Sequence, residues 1–228
     1  MVKISGGGVA ALALGVAMLG AAAPATAAAV VTGGQTSVLL DTKLLAEAAS
    51  LELSGVSDDT IVPGALGEGS VAFAINPPDA HPPAKPTTFG YDPKDPLATL
   101  GGAIEHSGSV FFNDGTVEVG DFTIAADFTV ADNVSGLGVL FDAVPDLATI
   151  VASDARLFVE GDLQVASAFA AFLEDNGLSA TNLAGADVGD FQVDATVVPL
   201  PGAVLLLASG VAGLAGVRLH RRRRTASA

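Results

Sequence analysis

Gly108-Ser109-Val110-Phe111-Phe112-Asn113-Asp114-Gly115-Thr116-Val117-Glu118-Val119 is the stretch on which the fold turns. Two runs rich in Val and Phe flank Asn-Asp-Gly, three residues that accept the positive φ of a tight turn, so the spacing predicts an antiparallel hairpin. Working outward, β-prone runs recur at 51–56, 71–75, 122–130, 138–141, 148–151, 156–159 and 191–197. Their lengths and intervals suit a sandwich or a rolled antiparallel sheet. Two segments depart from that pattern. Asp41 stands before apolar residues at 44, 45 and 48, the sign of a short capped helix. Val165, Phe169, Phe172 and Leu173 share one helical face, with Gly177 placed to end it. The segment 77–96 holds prolines at 77, 78, 82, 83, 86, 93 and 96 and is expected to lack regular structure. The expectation is a mainly β fold with one or two short packing helices.

The two ends read differently from this body. Lys3 precedes an apolar run from Val9 to Ala23, and small residues follow through Ala27. A basic start, a short apolar stretch and a small-x-small exit make up a secretory signal peptide, with cleavage expected after Ala27. At the other end residues 197–217 carry no charge. As a helix they would extend roughly 31 Å, the depth of a hydrocarbon core. Arg218, His220 and Arg221, Arg222, Arg223 and Arg224 follow, and the positive-inside rule would hold that tail in the cytoplasm with the body outside. The expected organisation is a signal peptide (1–27), an exported domain (28–197), a segment with a transmembrane helix and an Arg cluster (198–224) and a tail (225–228).

Charge follows the same partition. Of 10 basic and 25 acidic residues in the chain, the body keeps every acid but only Lys43, Lys85, Lys94 and Arg156. Such a surface repels nucleic acid and anionic lipid headgroups; cations and cationic surfaces are its natural partners. The absence of cysteine excludes disulfides, thiolate metal sites and a thiol nucleophile.

Val198-Pro199-Leu200-Pro201, then an apolar span, then Arg221 to Arg224, resembles the PEP-CTERM class of bacterial sorting domains, in its VPLPA-CTERM variety. Position 202 is Gly where that variety has Ala. The resemblance implies that an exosortase-type membrane enzyme recognises the segment, cleaves near the motif and passes the body to the cell surface or the exopolysaccharide matrix. Independently of any family, Pro199 and Pro201 lack amide donors and bias their predecessors to extended backbone, the form a protease binds. The competing reading is a permanent single-pass anchor in the inner membrane through residues 197–217.

Residue types for catalysis are sparse. Glu105-His106-Ser107 and Ser109 supply a base and hydroxyls, but no G-x-S-x-G elbow surrounds a serine. His81 lies in the proline-rich segment. Asp58 with Asp59, Asp92 with Asp95, and Asp187 with Asp190 offer oxygen ligands for calcium, short of the six to eight that a site takes. The chain reads as no enzyme, with no assigned metal and no resident cofactor.

Leu100 to Phe112, carrying Gly102, His106 and Gly108, followed by the run 117–124, is similar to a motif of haem-transport-associated surface domains. In those domains a Tyr ligand and a His partner engage haem. That resemblance nominates His106 and the only tyrosine, Tyr91, as ligand-binding residues. The overall expectation is an exported, non-catalytic surface or matrix protein; the alternative is a surface module that binds calcium, a glycan or haem.

Overall fold

Alternation of inward apolar and outward polar residues shapes most of the chain seen in the computed structural model, which describes residues 28–200. The expected signal peptide, Pro201 and the Arg cluster lie outside the described residues. In chain order the elements are β1 (Ala29–Leu40), α1 (Thr42–Ala49), β2 (Leu53–Val56), β3 (Val71–Ile75), β4 (Gly90–Tyr91), α2 (Pro96–Thr99), β5 (Ala103–Ser107), β6 (Ser109–Phe112), β7 (Val117–Gly120), β8 (Thr123–Ala125), β9 (Thr129–Asp132), β10 (Gly138–Pro145), β11 (Val151–Ala152), β12 (Arg156–Val165), α3 (Ser167–Asp175) and β13 (Asp187–Pro199).

The main sheet rolls up. Its neighbours run β10, β9, β8, β5, β3, β1, β13, β12, and β12 pairs back onto β10 from Phe141↔Val165 to Pro145↔Gly161. Eight strands therefore close into an antiparallel ring, which removes the long unpaired edges that an open sheet would expose. Of the sandwich and the rolled antiparallel sheet that the sequence left open, the rolled sheet is the observed architecture. β2, β6 and β7 form a separate three-stranded sheet. It lies across one pole of the ring, because its Val110, Phe112 and Val119 line the same interior space as Phe73 and Ile124 of the ring. Only Gly108 separates β5 from β6, and its φ of +114° lets the chain leave the ring for the small sheet.

The hairpin forms as its turn residues require: Asn113, Asp114 and Gly115 have φ of 54°, 56° and 80°. Asp41 caps α1, its Oδ1 accepting from Leu44 N at 2.9 Å. Several expectations need correction. The run 122–130 is two strands, not one, since Phe128 turns the chain at φ 66° while Asp127 Oδ1 accepts from Thr129 N. The proline-rich segment is not structureless: β4 within it pairs with β1, and α2 starts at Pro96. Residues 148 and 149 are turn and the strand there, β11, starts only at Val151, while β12 continues through Val165, so α3 begins only at Ser167. On α3 the buried residues are Phe169, Ala170 and Leu173; Phe172 is 37% exposed and stacks on Phe169.

Two further differences concern the ends. β1 was not apparent from the sequence, yet it is a central strand, paired with β13 along almost its whole length and with β3 on its other side. The span expected to be helical from Val197 begins instead as strand: Val197 and Val198 of β13 pair with Val31 and Val30 of β1. Among the described residues no helix is long and apolar enough to cross a membrane.

The β1–β13 seam tolerates little change. At Gly189 (φ +147°) an added Cβ would lie 2.1 Å from Leu39 O, so a side chain there forces the two strands apart. Gly189→Ala is expected to cost about 3 kcal/mol, read as a fall in Tm of roughly 6–12 °C.

Candidate functional site

The inward row of β5 carries Ile104 and His106, while Ala103, Glu105 and Ser107 are only part-buried. Strand alternation alone therefore sends the imidazole into the barrel. Its hydroxyl partner arrives by a less regular route. A register shift between Val31 and Gly33 changes the phase of β1, as an extra residue in a strand does. Before it Ala29 and Val31 are the buried residues; after it Thr36, Val38 and Leu40 line the interior.

Thr36 Oγ1 lies 2.7 Å from His106 Nε2, and His106 Nδ1 lies 2.9 Å from Phe122 O. A carbonyl only accepts, so Nδ1 carries the proton and donates to Phe122 O. Nε2 then holds a lone pair, and the Thr36 hydroxyl donates to it. The ring is neutral, and burial pushes its pKa down to about 4, against a smaller opposing effect of the Phe122 carbonyl. Around this pair is a chamber of about 50 Å³. Its other lining is aliphatic or aromatic, including Phe73, Phe122, Ile124, Phe141 and Phe191. Phe73 and Phe122 meet edge to face with centroids 4.9 Å apart.

Tyr91 is not in this chamber. It faces Ala29 across β4 and β1, seven positions along β1 from Thr36, or about 20 Å at strand rise. Its hydroxyl donates to Ser153 O at 2.7 Å. Burial, the larger effect, raises its pKa to about 12, which opposes the phenolate that iron ligation uses. The structure thus does not bring Tyr91 and His106 together. A haem also does not fit: the chamber is far below the roughly 300–1,000 Å³ of sites for ligands of that scale, and both imidazole nitrogens are engaged.

The remaining nominated residues serve local structure. Glu105 Oε2 accepts from Thr123 Oγ1 at 2.6 Å, and Ser107 Oγ donates to Asn76 Oδ1 at 2.8 Å; neither serine of the 107–109 segment bonds His106. His81 is exposed. Asp59, Asp92 and Asp187 each accept from a group within two residues: Ser57 Oγ, Lys94 N and Gly189 N. Among the described residues no three His, Asp or Glu side chains gather as a metal site would need. Of the processing residues, Val198 and Pro199 end β13, and Leu200 N donates to Ala28 O at 2.7 Å; Ala27, Pro201 and Arg221 to Arg224 lie outside the described residues. Thr36 is the site residue that sequence reading missed. The sequence carries no signal for it, because its inward position follows from a register shift that only the β1–β13 pairing sets.

No protein-family model and no curated protein matches the chain. Among solved structures it is similar to the C-terminal domain of HtaA from Corynebacterium glutamicum, at 13% identity and a TM-score of 0.46, over 74% of this chain and 99% of that one.

The neutral imidazole makes stability depend on pH. The unfolded chain protonates His106 near 6.5, whereas the folded chain resists until about 4. Its contribution is therefore complete above pH 6.5 and is lost as pH falls through the window from 6.5 to 4. Two and a half pH units correspond to about 3 kcal/mol. Denaturant unfolding at pH 7, 5.5 and 4 should show that slope, and His106→Asn should be less stable at pH 7 but flatter across the window.

Proposed function

We propose that this chain is an exported bacterial surface or matrix protein, non-catalytic, delivered by its signal peptide and released from the inner membrane by an exosortase-type enzyme acting at Val198-Pro199-Leu200-Pro201. The observation that carries this reading is the meeting of the two domain ends. Leu200 N bonds Ala28 O, and Ala29 pairs with Pro199. Both targeting segments therefore attach at one pole of a barrel whose strands are otherwise paired among themselves. Removing either segment at these points leaves the ring intact. Val198 and Leu200 are 48% and 38% exposed, so the motif's first residues are accessible at that pole. The strongly acidic body suits a soluble external layer and association with cations or a hydrated exopolysaccharide.

A second reading, a surface ligand-binding module, is favoured by one observation: a buried polar pair beside unfilled apolar space, which suits neither calcium nor haem.

Intact mass and terminal peptides of the native protein, taken from membrane and medium, test the first reading. The expected mature form begins at Ala28 and ends between Val198 and Pro201. A chain reaching Ala228 and confined to the membrane would replace this reading with a permanent anchor.

A further inference from the structure

We propose that the chamber at the Thr36–His106 pair is a binding site for a small, uncharged, apolar molecule. The inference rests on the ligand-binding reading and names the class of ligand.

The chamber is built to stay dry. Among the described residues Thr36 and His106 are the only polar ones that line it, and their polar atoms are satisfied by each other and by Phe122 O. Among the described residues no buried side-chain nitrogen or oxygen lacks a partner. A water molecule needs two to four polar partners, so this space has nothing to hold one, although about 50 Å³ exceeds the roughly 10–15 Å³ that a water occupies. Lining atoms that face a void forgo dispersion contacts, and an apolar guest restores them without displacing water.

Size and charge narrow the class. The volume is roughly a third of the 150 Å³ or so that admits benzene, which limits the guest to a few heavy atoms. Among the described residues no ionised group lines the chamber, so a charged guest would lose its hydration uncompensated. A metal-bearing ring is excluded on both size and chemistry, because the one imidazole lone pair already accepts from Thr36. Ala143, also in the lining, is where added side-chain carbon would fill the space.

Xenon is a suitable probe of such a site. Methyl NMR spectra of the purified full-length chain under xenon pressure should show shifts for Val38, Val110, Ile124 and Leu163, and none for the exposed Val62 and Leu147. The shifts should vanish in Ala143→Leu, or in Ala143→Val if the larger residue prevents folding. Unmoved lining methyls in the wild type, or equal shifts in a folded filling variant, would overturn the inference. Hemin titration separates the two levels of the argument. The expected result is a Soret spectrum that stays that of free hemin. A new Soret band that His106→Ala abolishes would keep the ligand-binding reading and sink the apolar class, whereas silence toward both xenon and hemin would sink both.

Discussion

Everything in this domain depends on the antiparallel seam between its first and last strands. β1 sits between β3 and β13, and β13 sits between β1 and β12, so the ring cannot close until the last residues of the body are present. Pairing across such a sequence separation carries a large loop-closure cost before its contacts are made. The return is a sheet with few free strand edges, the places where pairing with other chains starts. The seam also brings Ala28 and Leu200, the two ends of the described chain, together, a consequence of closure rather than of any local signal.

Closure has a second effect, on the interior. An eight-stranded ring is just wide enough for side chains to fill, and here large aromatic residues from several strands nearly do so. The small sheet adds Val110, Phe112 and Val119 from above. Within this apolar space a charged imidazole would be costly, and a neutral one is tolerated only because both nitrogens have partners. The Thr36 hydroxyl and the Phe122 carbonyl supply them. The same arrangement that makes His106 acceptable in the core takes it out of use as a ligand. The carboxylate of Asp132 shows the same economy at the ring's edge. It is buried, yet accepts from the amides of Gly120, Val134, Ser135 and Gly136, tying the small sheet to the ring.

Elements with a local physical cause were legible. The Asn113-Asp114-Gly115 turn, the Asp41 cap and β3 follow from residues within a few positions of one another. β1 was not legible, because Thr32-Gly33-Gly34-Gln35-Thr36 lacks the apolar alternation of a strand. Only its partners on both sides make it one. The 122–130 run was misread for the opposite reason, since its composition is continuous while Phe128 turns the backbone. For the site, His106 was nominated by its residue type and motif, and the structure gives it a buried position. Tyr91 was nominated as the only tyrosine, and composition carries no information about distance.

By itself the sequence determined the chemistry of each part: an acidic body without thiols, apolar ends flanked by basic residues, and β-prone runs punctuated by turn formers. These are properties of composition and near neighbours, and they survive without a fold. The tertiary structure decided which residues meet. Thr36 faces His106 because a register shift rotated half of β1, and Ala28 meets Leu200 because eight strands closed a ring. Both depend on pairings between residues far apart in the chain, and no local pattern encodes which strand will lie beside which.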